Sequence, residues 1–251
     1  MRRIRLYLEA PLAPGAQVTL DADQTRRLQA VLRLQPGDPV RVFNGDQGEY
    51  AGVLALRGRR DLCVQLEDCV RAPSPRAGPV LLFAPLKRQA TDWIVEKAVE
   101  LGVSRIIPVI TRRTVAETVR LDRWRLIAMD AAAQCERLDL PVFDAPTALD
   151  RALIAWPPAR ALLYADETGG PAMPAALQGY RGAPPGLLIG PEGGFEPVER
   201  DWVRSLDFVR PFSFGSLILR AETACIAGLA QMSAWGQSAQ WGMRTDETHG
   251  S

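Results

Sequence analysis

Two glycine-bearing segments hold the residues best suited to chemistry in this 251-residue chain. The first is Leu187–Pro197, reading LLIGPEGGFEP. An apolar run that predicts a buried strand enters a loop with Gly190, Gly193 and Gly194. Glu196-Pro197 then reads as a helix start, with proline at the first helical position. Ligands of open α/β sheets bind at the carboxyl ends of strands, and glycine lets backbone come close to them. A plain strand-to-helix turn would use the same glycines, so the content of the loop has to narrow the choice. It carries neither the GxxxxGK[ST] phosphate cradle nor GxGxxG. Glu192 places a carboxylate where a phosphate loop would offer lysine or bare backbone. That charge disfavours a polyphosphate and suits a neutral or cationic ligand, such as the sulfonium nucleoside S-adenosylmethionine.

The second segment is Phe212–Ala224, reading FSFGSLILRAETA. A strand is expected to end near Phe212, a short loop holds Gly215, and Arg220 stands where the last long helix begins. Arginine is an unusual choice there, because the helix dipole repels cations at that end, whereas Glu222 in the first turn is ordinary dipole complementation. Arg220 could equally pair with Glu222. Other chemistries find little support. The only histidine is His249, in the polar C-terminal tail, so histidine-based nucleophilic or metal chemistry is not expected. The four cysteines (Cys63, Cys69, Cys135, Cys225) form no CxxC pair. They read as buried free thiols, and no metal site is expected.

The elements that would position these segments follow from pattern. Residues 1–72 predict a small β-rich domain, with short strands at Val40–Phe43, Tyr50–Leu54 and Leu62–Leu66 around the turn Asn44-Gly45-Asp46. One helix, Asp23–Leu32, is expected to interrupt them, with Leu28, Val31 and Leu32 on one face. Residues 73–79 close a proline-rich stretch and predict a linker. From residue 80 to 235 strands and helices alternate: strands at Val80–Ala84, Val103–Ile110, Ala161–Tyr164 and Leu187–Ile189, and helices at Thr91–Leu101, Leu121–Cys135, Pro197–Leu206 and Ala221–Trp235. Continuous apolar strands between helices indicate an α/β domain with a mainly parallel sheet. The tail 236–251 is expected to be disordered. Apolar residues at 47%, charged residues at 24% and a net charge of +1 suit a soluble globular protein. With no signal peptide or membrane span apparent, the expected location is cytoplasmic. Basic residues cluster locally at Arg2, Arg3 and Arg5 and at Arg57, Arg59 and Arg60, as a solvated face or a phosphate-binding surface would have them.

GPEGG and LRAET at this separation resemble the SPOUT-class methyltransferases that modify N3 of a uridine in small-subunit ribosomal RNA (RsmE-like). Further matches run in order along residues 1 to about 235: Val31-Leu32-Arg33, Gly37-Asp38, Phe43-Asn44-Gly45, Lys97–Val103, and Gln134 with Arg137 and Pro141. Two positions depart from the family pattern, Ala133 where glutamate is usual and Leu217 where a basic residue often stands. The resemblance implies a PUA-like β-barrel that grips RNA, followed by a SPOUT α/β domain with a trefoil knot. It further implies S-adenosylmethionine as cofactor, ribosomal RNA as partner, no membrane, and a homodimer through the C-terminal domain, with Ile226, Leu229, Ala230 and Ser233 as a candidate surface.

Carried onto this chain, the cofactor would be held by Leu163, Tyr164, Ile189, Gly190, Glu192, Gly193, Gly194, Phe214, Gly215, Ile218, Leu219 and Arg220. Arg220, with Glu222 as a candidate base, would be catalytic. RNA would meet Arg2, Arg5, Arg33, Lys87, Lys97, Arg113 and Arg137. The alternative from another class is a non-catalytic RNA-binding ribosome-assembly factor of the same fold.

Overall fold

In the computed structural model the described residues are 4–58, 61–74, 77–115 and 118–238. Arg2, Arg3, Arg59, Arg60, His249 and the tail from residue 239 therefore lie outside them. The chain divides into two compact units, Met1–Pro75 with Met129–Leu140, and Arg76–Ala128 with Pro141–Ser251.

The first unit is built on a five-stranded sheet in the order β1-β3-β4-β5-β2. Its strands are β1 (Ile4–Tyr7), β2 (Gln17–Thr19), β3 (Pro39–Asn44), β4 (Gly48–Arg57) and β5 (Asp61–Arg71). All pairings are antiparallel except β1 with β3. Alternation along β4 and β5 sends Leu54, Val64 and Leu66 into a core shared with Leu6, Val18, Leu28, Val40 and Val42.

The helical insertion departs from expectation. Asp21 and Gln24 close a capping box on α1 (Ala22–Arg26), but residues Arg27–Val31 wind as a π-helix, with Leu32 N–H donating to the Arg27 carbonyl at 3.0 Å. The wider turn rotates Val31 and Leu32 off the face of buried Leu28, so both are exposed. Arg33 ends the segment in the left-handed region at φ 57°.

The second unit holds a parallel sheet in the order β12-β10-β11-β6-β7-β8, with β9 paired to β7. Its strands are β6 (Val80–Phe83), β7 (Arg105–Ile110), β8 (Val142–Phe143), β9 (Thr147–Ala148), β10 (Leu162–Ala165), β11 (Gly186–Ile189) and β12 (Val209–Phe212). The helices are α2 (Arg88–Glu100), α3 (Leu121–Cys135), α4 (Leu149–Ile154), α5 (Met173–Ala176), α6 (Pro197–Arg204) and α7 (Ala221–Ser238). Strands β6, β11 and the first three residues of β10 are buried throughout, because apolar clusters cover the sheet on both faces. One cluster contains Leu81, Ile94, Leu163, Leu187, Cys225 and Leu229; the other contains Leu82, Leu153, Leu162, Leu188 and Val203. Leu229, expected on a dimer surface, thus belongs to the core. Helix α7 also runs through Gly236 to Ser238, past the expected start of the tail.

The second half of α3 and the turn after it, Met129–Leu140, belong with the first unit, although order in the sequence assigns them to the second. The cause is a set of arginines at the helix C-terminus. Arg5 Nη1 donates to the Ala132 and Ala133 carbonyls at 2.9 and 3.1 Å, and Arg71 Nη1 donates to the Glu136 carbonyl at 3.0 Å. Glu49 accepts from both arginines, at 2.7 and 3.3 Å. Glu136 takes the left-handed position that ends many helices, at φ 62°. Cations at the end of α3 complement the dipole and satisfy its last carbonyls.

The thiols are less uniform than expected. Cys63 and Cys225 are buried, Cys135 is half-buried and Cys69 is exposed at the end of β5. No helix among the described residues is long and apolar enough to cross a membrane.

Candidate active site

Three neighbouring parallel strands, β12, β10 and β11, end side by side, and the loops leaving them enclose a cavity of about 570 Å³, within the usual range for a ligand site. The β10 loop contributes Tyr164, Ala165, Asp166 and Glu167. The β11 loop contributes Ile189 to Glu192 with Gly194 and Phe195, and the β12 loop contributes residues 213–221. Arg200 of α6 and Ala224 of α7 complete the lining. The loop entry into α6 is set locally: Pro197 occupies the first helical turn, and Glu196 and Glu199 close a capping box.

Glycines are needed at particular points of this wall. A side chain on Gly190 would meet the Phe195 ring at 2.6 Å. Gly194 adopts φ +65°, and a Cβ there would lie 2.6 Å from Glu167 Oε1. Gly215 adopts φ +106°. Behind the glycines, Tyr164 meets Phe195 edge to face at 5.4 Å, and Phe212 meets Phe214 likewise at 4.9 Å. Burial, with Asp166 and Glu167 nearby, pushes the Tyr164 hydroxyl well above its ordinary pKa, so it stays protonated and uncharged.

The charges in the cavity are not equivalent. Asp166 is saturated: it accepts from Arg204 Nε at 2.6 Å, Thr168 N–H at 2.9 Å and Thr168 Oγ1 at 2.7 Å. It ties the β10 loop to α6. Glu167 and Glu192 are exposed to the cavity and make no hydrogen bond or ion pair with a described residue. Arg220 is exposed immediately before α7, and its guanidinium is likewise unpartnered among the described residues. It does not pair with Glu222. Glu222 lies outside the cavity lining, and its Oε2 is buried without a hydrogen-bond partner among the described residues.

Ten of the twelve residues expected to hold a cofactor therefore line one cavity. Leu163 lies wholly in the core, and Gly193 is exposed outside the lining. The sequence reading missed Glu167, Phe195 and Arg200; the polar pair Asp166-Glu167 directly after an apolar strand was the signal for the first.

The residues expected to meet RNA scatter in role. Arg5 has a side chain only 7% exposed and lies 4.1 Å over the Phe43 ring, engaged as described at α3. Arg137 is buried against Asp139 at 2.9 Å. Neither presents a free charge to a phosphate. Lys97 bridges Glu96 and Glu100 at 2.7 and 2.8 Å, which raises its pKa. Arg113 contacts the glycine loop through a 2.8 Å bond to the Gly193 carbonyl. Arg33 and Lys87 are exposed.

Residues 74–233 match the family model of an RNA methyltransferase domain, and residues 20–67 that of an RNA methyltransferase PUA domain. A ribosomal RNA small subunit methyltransferase E of Rickettsia conorii is 29% identical over 94% of this chain and 97% of its own length. That of Synechocystis is 35% identical over 87% of this chain and 73% of its own. Among solved structures, a ribosomal RNA small subunit methyltransferase E from Neisseria gonorrhoeae bound to S-adenosyl methionine superposes with a TM-score of 0.81 at 27% identity, covering 93% of this chain and 98% of that one. A SAM-bound protein from Legionella pneumophila gives 0.83 at 26% identity, over 94% and 98%.

Proposed function

This chain belongs to the RNA methyltransferase family, and on that premise we propose that it is a cytoplasmic enzyme that methylates N3 of a uridine in small-subunit ribosomal RNA with S-adenosylmethionine. The observation that carries the reading is the cavity itself: three strand ends, a glycine wall and an unpartnered guanidinium converge on one space.

The lining fits the cofactor. Gly190 and Gly194 let the loop pack against the Phe195 ring and Glu167, where a Cβ would clash, Tyr164, Phe214, Ile218 and Leu219 offer apolar contact, and Glu167 and Glu192 offset positive charge. The group supplies an electrophilic methyl on a sulfonium when bound. The protein's residues do the rest. Uridine N3 is a poor nucleophile until its proton leaves. The Arg220 guanidinium stabilises the negative charge that develops on the flanking carbonyl oxygens. Glu222, the base that the sequence suggested, lies outside the cavity lining with Oε2 buried, so the N3 proton leaves to solvent.

RNA is engaged through Arg33 and Lys87, exposed members of the expected set whose side chains bond no described residue, with exposed Val31 and Leu32 beside Arg33. A second copy of the chain covers Leu217 and Ile218, 76% and 83% exposed at the cavity rim, and the outer side of α7 at Ile226, Ala230 and Ser233. The chain path fits the trefoil expected of the family: β11 lies between β10 and β6, yet the chain leaves it for β12 beyond β10 and returns along α7 to β11 and α2.

Calorimetry with S-adenosylmethionine and with ATP, followed by nucleoside mapping of methylated small-subunit RNA, tests the proposal. Binding of the first ligand alone and a methyl group on uridine N3 are expected. Preference for ATP would return the loop to phosphate chemistry, and RNA binding without methyl transfer would leave an assembly factor.

A further inference from the structure

Arg113 lies outside the cavity lining and bonds the glycine segment that forms part of its wall. It follows β7 in a turn braced by Thr111 and Thr114: the Thr111 N–H donates to Thr114 Oγ1 at 2.8 Å, and the two hydroxyls lie 3.0 Å apart. From there Arg113 Nη1 donates to the Gly193 carbonyl at 2.8 Å. Its aliphatic stem crosses the same residue, with Cδ 3.6 Å from the position a Gly193 Cβ would take. The Arg113 Nε lies 3.9 Å from Glu196, the residue that caps α6, so the guanidinium is steered from two sides.

The Gly193 carbonyl and the Gly194 N–H belong to one rigid peptide plane. Arg113 holds one edge of that plane. The other edge is held by the bond from the Gly194 N–H to the Pro191 carbonyl at 2.9 Å. With both edges pinned, the plane cannot turn, and Gly194 is delivered to the cavity at φ +65°. Releasing the carbonyl leaves a glycine pair with wide conformational freedom and only the turn bond to restrain it.

We infer that Arg113, through its hydrogen bond to the Gly193 carbonyl, is a positioning residue that preorganises the glycine wall for S-adenosylmethionine, independently of RNA. This rests on reading the cavity as the cofactor site. Preorganisation lowers the ordering cost of binding, and a hydrogen bond from a charged donor is among the stronger kinds. Its loss is expected to weaken cofactor affinity about tenfold.

The test measures S-adenosylmethionine affinity by calorimetry with no RNA present, on the full chain and three variants. Arg113→Met keeps the stem over Gly193 and removes the guanidinium. Arg113→Lys restores a single donor. Arg112→Ala removes a neighbouring charge whose side chain bonds Glu196 and not Gly193, so it controls for bulk electrostatics. Expected are an about tenfold loss in Arg113→Met, partial recovery in Arg113→Lys, and little change in Arg112→Ala. Single-turnover methylation at saturating cofactor should return to near the wild-type rate in Arg113→Met, placing the effect in binding rather than chemistry. Unchanged cofactor affinity in Arg113→Met, with or without weakened RNA binding, overturns the inference, as does an equal loss in Arg112→Ala. If the wild-type chain itself does not bind S-adenosylmethionine, the reading of the cavity fails instead.

Discussion

Arg220 and Glu222 are two residues apart, and a mutual ion pair would have given both a structural purpose. The structure leaves them apart, with the guanidinium exposed and a carboxylate oxygen buried without a partner. Arg220→Ala should therefore leave the thermal midpoint near wild type. It should lower the single-turnover rate about 10²–10³-fold, about 3–4 kcal/mol, by analogy with the loss of one oxyanion donor. Cofactor affinity should hold, since a cation is being removed from the neighbourhood of a cationic ligand. A folded mutant with normal turnover would remove Arg220 from the chemistry. The glycines separate in the same way. Gly194 has positive φ and Glu167 close to where a Cβ would be, whereas a Cβ at Gly193 would make only ordinary contact with the Arg113 stem. Gly194→Val should abolish most cofactor binding with normal circular dichroism, while Gly193→Ala should retain it. Equal loss in both would mean the wall depends on flexibility and not on shape.

At the level of elements, the end of α3 shows why a charge seen in sequence need not be a charge offered to a ligand. Arg5 and Glu49 have side chains 7% and 6% exposed, and Arg5 also satisfies carbonyls that the helix leaves open. Removing Arg5 leaves Glu49 only its 3.3 Å contact with Arg71 and uncovers the α3 carbonyls, so Arg5→Leu should cost about 3 kcal/mol, the low end for breaking a buried pair. Urea unfolding is the measurement, and a loss that persists in high salt is expected, because buried pairs are little screened. A cost below about 1 kcal/mol, the size of an exposed pair, would contradict the burial.

For the molecule as a whole, the same contacts bear on truncation. The proline-rich linker at residues 73–79 marks Pro79 as the start of a C-terminal fragment. It would lack Arg5, Glu49 and Arg71, the partners of Met129–Leu140. We expect it to melt several degrees below the full chain, with the loss centred on α3 in hydrogen exchange; an unchanged melt would show that the C-terminal segment stands alone. Alkaline stability is a second property of the whole chain. Burial pushes the Cys225 thiol and the Tyr164 hydroxyl up, and the hydrogen bonds that Lys97 donates to Glu100 and Glu96 push Lys97 up. Each group holds its proton in the folded state beyond the pH at which the unfolded chain releases it. Their contribution is therefore complete below the unfolded values, about 8.5 for cysteine and about 10 for tyrosine and lysine. It is lost as pH rises past them. Thermal melts should fall from about pH 8.5 upward, and Tyr164→Phe should flatten the limb near pH 10.

What the sequence determined by itself was local or nearly so. Apolar runs marked β6, β10 and β11, because strands covered on both faces must be apolar throughout. Pro197 marked the start of α6, and the glycines marked the loop that a ligand could approach, since these signals depend on a residue's own backbone preferences. The tertiary structure decided what depends on distant partners. It placed Leu163 and Leu229 in the core, turned Val31 and Leu32 outward through a π-helix, and sent the end of α3 to the first unit. It also decided which of many similar arginines are free. Arg5 and Arg137 are buried in ion pairs, Arg113 braces a loop 80 residues away and Arg220 is unpartnered among the described residues. The side chain is the same in each case, and only the packing around it determines whether its charge is already satisfied.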